Sequence, residues 1–201
     1  MGNKVALIVG AGSALGGQVA RGLVASEVRV ALNDLLPNHI EALAAELNAG
    51  GGQTVAFPAD LSRKLALQTV LQDILEAWER IDMLVFIPTV QPRGLLLDMD
   101  EWDWHRTVDL NLSAAFLCMQ SVGRIMRLLG GGVMVNVLEH SQVVSPVYDA
   151  AAAGLAALTR AASAEFTAHN VHLHALAGDH VDPQTILDLC LQEKSPIAHL
   201  Q

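Results

Sequence analysis

The chain has 201 residues, 52% of them hydrophobic, which suffices for one well-filled core and gives no sign of a second. Twelve basic against twenty-one acidic side chains leave a net charge of −9, which opposes binding to nucleic acid or to an anionic membrane. The two cysteines, Cys118 and Cys190, lie far apart in helix-like apolar patterns and read as buried free thiols of a reducing compartment, the cytoplasm, not as a disulfide. No uncharged run reaches membrane-spanning length, and Met1-Gly2 leaves no room for a signal peptide before the first strand.

The first unit is Lys4 to Gly17, KVALIVGAGSALGG. Val5 to Val9 is a continuous apolar run, as a parallel strand covered on both faces requires, and Gly10 breaks it. Gly12, Gly16 and Gly17 follow, where glycines allow a tight turn and the approach of a pyrophosphate to the N–H groups of a helix starting near Ala14. That helix runs to about Ala25, and a second strand, Val28 to Leu32, leads to Asp34. An acidic side chain there, eighteen residues past Gly16, suits the ribose hydroxyls of NAD; it also suits a cap before Leu35-Leu36-Pro37.

A helix is expected over Asn38 to Asn48, opened by Pro37 and closed by Gly50-Gly51-Gly52. Thr54 to Phe57 reads as the third strand, and Asp60-Leu61-Ser62 leads into an amphipathic helix ending near Arg80. Met83 to Ile87 is the fourth strand. Asp100 then caps a long helix from Glu101 to about Leu129, ended by Gly130-Gly131-Gly132. The last elements are a strand Val133 to Leu138, an alanine-rich helix Tyr148 to Ala168, a strand Val171 to Leu176 and, in a short tail from Asp182, a helix Pro183 to Gln192. Strict βα alternation across residues 1–201 specifies a single α/β domain: one parallel sheet, helices on both faces, and ligands at the carboxyl ends of the strands.

From Lys4 to Gly178 the chain resembles the classical short-chain dehydrogenases/reductases. VGAGSALGG resembles their TGxxxGxG loop, ALND their NAD-selecting strand end and Ala59-Asp60-Leu61 their adenine-contacting segment. Asn111 falls at their helical asparagine, Tyr148 with AAAGLAALTR resembles YxASKAAVxxLTR, and VHLHALAG resembles IRVNAVAPG. The resemblance implies a three-layer Rossmann-type doubly wound sheet of about six strands in the order 3-2-1-4-5-6. It implies an NAD site at Gly10, Gly12, Ser13, Leu15, Gly16, Asp34, Asp60 and Leu61, with Tyr148 and Asn111 as catalytic positions.

Departures from the family pattern cluster at the chemistry. In the family a tyrosine exchanges a proton with substrate, a lysine four residues on lowers its pKa, and a serine holds the carbonyl; here the lysine position is Ala152, and Leu138 and Glu139 stand at the serines. A tyrosine without that cation keeps a pKa near ~10, leaving about one part in 10³ as phenolate at neutral pH. Ser141 and Ser145 lie outside the family's spacing, Phe86-Ile87-Pro88-Thr89 replaces NNAG, and no counterpart of the family's substrate-covering segment is expected after Gly178. The expectation is a non-catalytic or weakly active relative with weak NAD binding, acting through association with itself as a homodimer or with an active homologous subunit. The alternative is an active NAD-dependent reductase or dehydrogenase for an alcohol or carbonyl, with an atypical site around Tyr148. His172 and His174 share a strand face and, with His140, His180 and Glu139, invite a metal reading, but a wet sheet end or subunit contact is expected instead, with no metal. Trp102 and Trp104 read as surface or interface anchors.

Overall fold

A computed structural model describes residues 3–141 and 143–192; residues 193–201 of the expected tail lie outside the described part. In chain order the elements are β1 (Val5–Val9), α1 (Ala14–Ala25), β2 (Arg29–Asp34), α2 (Pro37–Ala49), β3 (Thr54–Pro58), α3 (Lys64–Trp78) and β4 (Met83–Phe86), then α4 (Glu101–Val108), α5 (Ala114–Leu128), β5 (Gly132–Glu139), α6 (Pro146–Thr167), β6 (Val171–Gly178) and α7 (Pro183–Leu191). The six strands form one sheet in the order β3-β2-β1-β4-β5-β6, every neighbouring pair parallel. This is the doubly wound arrangement expected from the alternation.

Every residue of β1 is buried because successive side chains enter different layers. Ala6 and Ile8 join the core beneath α1, α2 and α7, while Val5, Leu7 and Val9 join the core beneath α3, α5 and α6. Each fully buried Leu or Ile there contributes roughly 1.5–3 kcal/mol. The winding reverses between β1 and β4, so the crevice at their carboxyl ends is where this topology places a ligand.

Among the element boundaries that differ from the expectation, three bear on the site. β2 runs on through Asn33 and Asp34 because the buried Asn33 amide donates to the carbonyls of Phe57 and Ala59, at 2.8 and 3.0 Å, tying β2 to the end of β3. β5 and β6 extend to pair Glu139 with Gly178, and the His140 amide continues the ladder by donating to the Gly178 carbonyl at 2.8 Å. The long helix expected from Glu101 is interrupted by a π-turn, Asp109–Ser113, in which the Ala114 amide donates to the Asp109 carbonyl. Such an inserted turn re-aims one side chain in a helix, and here Asn111 lies in it.

The tail helix is part of the packed fold. Ile186 and Cys190 of α7 are buried, and Leu187 lies against Gly22 of α1 so closely that a Cβ on Gly22 would come within 2.4 Å of it. Both cysteines are buried free thiols, each pushed up to about 12 by burial, so neither is a nucleophile at neutral pH. No helix among the described residues is long and apolar enough to cross a membrane.

Candidate functional site

The turn after β1 is held from both sides. Asn33 accepts from the amides of Gly10 and Ala11 through its carbonyl, both at 3.0 Å, which places the turn across β2. Gly10 has φ +81°, a conformation L side chains rarely adopt, and a Cβ there would lie 2.4 Å from the Ile87 carbonyl. Ser13 caps α1: its hydroxyl donates to the Gly10 carbonyl at 2.7 Å and accepts from the Gly16 amide at 3.0 Å. Gly16 has no room for a Cβ, which would sit 2.4 Å from the Gly10 carbonyl.

This bonding shows which donors remain for a ligand. The Gly12 amide donates to the Asp34 carboxylate at 3.1 Å and the Gly16 amide is taken by Ser13. Among the described residues no group accepts from the amides of Ala14 and Leu15, the first two of α1, so these are the donors facing an anion. The Leu15 side chain itself is buried in the core, so only its backbone N–H is available to a ligand.

Asp34 is engaged by two backbone amides, and it does not cap α2, whose N-cap is Leu36 without a side-chain bond. One carboxylate oxygen holds Gly12, the other accepts from the Leu36 amide at 3.3 Å, and the side chain still lines the crevice with Gly10, Ala59 and Leu61. Asp60 faces elsewhere: its carboxylate accepts from the amide and hydroxyl of Ser62 at 2.9 and 2.6 Å and pairs with Arg63 at 3.5 Å. The crevice is narrow. Thr89, Phe86 and Leu110 help line it, and its free volume is 30 Å³, room for about two waters. The residues present fit the adenosine half of a dinucleotide: Asp34 for ribose hydroxyls, Ala59 and Leu61 against a base, and the α1 amides for phosphate. The Thr89 methyl lies 3.1 Å from where a Gly10 Cβ would stand.

Tyr148 lies one turn into α6 and is 1% exposed. Its hydroxyl donates to the Glu139 backbone carbonyl at 2.9 Å. Burial pushes the phenol above its ordinary value, the Glu139 and Asp149 carboxylates act in the same direction, and the Gln91 side chain acts against them. Glu139 turns its carboxylate to the Val181 amide at 2.9 Å, with the His180 ring 3.9 Å away. The His140 ring lies 2.8 Å from the Asp179 carboxylate. Ser141 closes a local turn on Val143, and Ser145, at the start of α6, is buried with no partner for its hydroxyl among the described residues. Asn111, buried in the π-turn, donates to the Val90 carbonyl at 2.7 Å and accepts from the Val90 amide at 3.2 Å, bridging helix and loop.

Residues 4–188 match the family model described as short chain dehydrogenase. This chain belongs to the short-chain dehydrogenases. It is 30% identical, over 87% of its length, to the (2S)-[(R)-hydroxy(phenyl)methyl]succinyl-CoA dehydrogenase subunit BbsD of Thauera aromatica, of which it covers 72%. It is likewise 30% identical over 87% of its length to the D-threitol dehydrogenase of Mycolicibacterium smegmatis, covering 68% of that protein. Among solved structures, a metagenomic short-chain oxidoreductase in complex with NADP superimposes with a TM-score of 0.87 at 25% identity, covering 97% of this chain and 94% of the other.

As a short-chain dehydrogenase the chain brings Gly10, Asp34 and Leu61 to one crevice, with Gly12 bonded to Asp34, Ser13 and Gly16 bonded into the turn behind Gly10, and the Tyr148 hydroxyl tied to the end of β5. Two residues that shape this crevice escaped sequence reasoning, Asn33 and Leu110, whereas Thr89 was legible as part of Phe86-Ile87-Pro88-Thr89. A polar residue inside the apolar run of β2 was the one signal that Asn33 offered. On β6, His172 and His174 are half-buried, and burial, then the neighbouring His172, holds the His174 ring below its ordinary value. Among the described residues no group of three or more His, Cys, Asp or Glu side chains is placed to hold a metal ion.

Proposed function

We propose that this short-chain dehydrogenase binds NAD weakly, transfers little or no hydride, and works in the cytoplasm through association with itself or with an active homologous subunit. One observation carries the reading: the Tyr148 hydroxyl, the acid such chemistry needs, is buried on the Glu139 carbonyl, and Ala152 stands where a cation would lower its pKa. The relative named as a dehydrogenase subunit supports a role within an assembly. A screen of ketones, aldehydes and alcohols with NADH, NADPH and their oxidised forms tests it, and robust turnover that disappears in Tyr148→Phe would establish the rival. That rival is an active NAD-dependent enzyme acting on an alcohol or carbonyl at Tyr148, and it draws on relatives named as dehydrogenases and reductases.

Asp34 favours NAD over NADP, because a 2′-phosphate beside its carboxylate sets like charges together. Calorimetric titration with NADH should therefore give a dissociation constant above about 1 μM, with NADPH weaker still. Sub-micromolar binding, or a preference for NADPH, contradicts the narrowed crevice and the role of Asp34.

For self-association, the outer surface of α5 and α6 offers a groove of 340 Å³ between the helices, lined by Phe116 and Phe166 and carrying Arg124 and Arg127 on α5 opposite Glu165 on α6. Basic and acidic groups on facing helices are self-complementary across a two-fold axis. The small residues Ala151 and Gly154 of α6 face inward, Gly154 against Leu112, so contact falls to the outer positions such as Ala157. Light scattering at micromolar concentration should report twice the 21.4 kDa chain mass. Because Ala157 is exposed, Ala157→Arg should halve that mass without loss of helical signal; a native monomer that stays monomeric beside a homologous active subunit removes the association reading.

A further inference from the structure

Asn33 carries a hydrogen-bonding atom that the fold does not use. The residue is 2% exposed, and because successive side chains of β2 leave the sheet on opposite faces, Asp34 reaches the glycine turn while Asn33 reaches the end of β3. There its amide nitrogen donates to the carbonyls of Phe57 and Ala59, at 2.8 and 3.0 Å. Two acceptors at the nitrogen fix which way the amide points, since the reversed amide would set its oxygen against both carbonyls. The Oδ1 atom is thereby held in one direction, and among the described residues no group donates to it. Side-chain atoms that are both sealed from solvent and without a partner lie, among the described residues, on Arg29, Thr107, Asn136 and Ser145. The Asn33 oxygen is unpartnered and not one of these, so it opens into the crevice that Asn33 lines.

Such an atom takes a donor from a ligand. Only three of the side chains lining the crevice are polar: Asn33, Asp34 and Thr89. Asp34 is placed for ribose hydroxyls, and the Thr89 hydroxyl both donates and accepts, so it distinguishes no edge of a base. The Asp60 carboxylate is committed to Ser62 and Arg63. Ala59 is committed as well, its amide donating to the Asp34 carbonyl at 3.1 Å and its carbonyl held by Asn33. Asn33 Oδ1 is therefore the fixed acceptor beside the Ala59 and Leu61 surface. We propose that Asn33 is a specificity-determining residue of this crevice, its Oδ1 accepting from the exocyclic amino group of adenine. The Nδ2 group that an oxo-purine would need is taken up by Phe57 and Ala59. A purine with an oxo group in place of the amino group sets lone pair against lone pair and leaves the buried oxygen unpaired, which is how a hydrogen-bonding site rejects a close analogue. This rests on the reading that the crevice holds the adenosine half of a dinucleotide, and adds which base it accepts.

The test is calorimetric titration of the full chain with NADH and with its hypoxanthine analogue, in which an oxo group replaces the adenine amino group. NADH should bind at least about tenfold more tightly. In Asn33→Ala both affinities should fall, because the tether to Phe57 and Ala59 goes with the oxygen. The ratio between them should collapse to within about twofold, a change that a purely structural loss does not produce. Asn33→Val, a good strand former, is the second variant, and circular dichroism of both checks that the sheet is intact. Where both lose it, the native ratio still decides. Binding of the two nucleotides by the native chain to within about threefold overturns the assignment of Asn33 while leaving a nucleotide site in place. A preference of about tenfold that survives in Asn33→Ala overturns it equally. A native chain that binds neither nucleotide removes the adenosine site and this inference together.

Discussion

Tyr148→Ala is expected to destabilise the protein by about 3–5 kcal/mol, the loss that follows removal of a large buried aromatic side chain. Tyr148→Phe is expected to cost about 1 kcal/mol and to leave turnover unchanged. Tyr148 is among the largest fully buried side chains, in contact with solvent over only 1% of its surface, and its hydroxyl donates to a backbone carbonyl. Both results follow if the residue has become part of the packing between α6 and β5. In a working proton donor the pattern reverses: Tyr148→Phe preserves stability and removes ~10²–10⁴-fold of rate. Urea unfolding of the two variants beside the reductase assay separates these outcomes, since one experiment reads the core and the other the chemistry.

Gly10→Ala should be nearly as damaging as Tyr148→Ala for a different reason. An L residue at φ +81° costs about 1–2 kcal/mol in the left-handed region, and its Cβ would press within 2.4 Å of the Ile87 carbonyl, an overpacking that adds about 1–3 kcal/mol. The atom it meets is backbone at the end of β4, the neighbour of β1, so relief requires the two central strands to separate. A fall of the unfolding midpoint in urea, together with loss of whatever NADH affinity the native chain shows, is the expected result. A variant as stable as the native protein would mean that the turn relaxes in solution to a φ that alanine accepts.

The fold was legible in the sequence because its signals are local and repeat. Apolar runs of five or six residues, each followed by a turn and an amphipathic helix, specify one parallel sheet with helices on both faces, and the resemblance to the family implied the order β3-β2-β1-β4-β5-β6 that the sheet has. Gly10 and Gly16 were legible for the same reason, since a glycine between a buried strand and a helix start has a conformational cause. Element ends were less so: Asn33, Glu139 and Gly178 extend their strands through partners far along the chain, Phe57 and Ala59 for Asn33 and the β5–β6 register for the other two.

What tertiary structure alone decided is the state of the site. Sequence placed Tyr148 and Ala152 four residues apart on one helix, but nothing local says that the Tyr148 hydroxyl closes on the Glu139 carbonyl. The π-turn that aims Asn111 at Val90 is likewise invisible in an apolar helical pattern, because one inserted residue leaves the hydrophobic spacing on both sides intact. Asp34 could be read as a ribose ligand or a cap, and only the fold brings the Gly12 amide and the Leu36 amide to its two oxygens while the side chain lines the crevice. Periodicity depends on neighbours within a turn of helix or a step of strand and therefore survives in one dimension; a hydrogen bond between the ends of different strands depends on register and twist, which exist only once the sheet has formed.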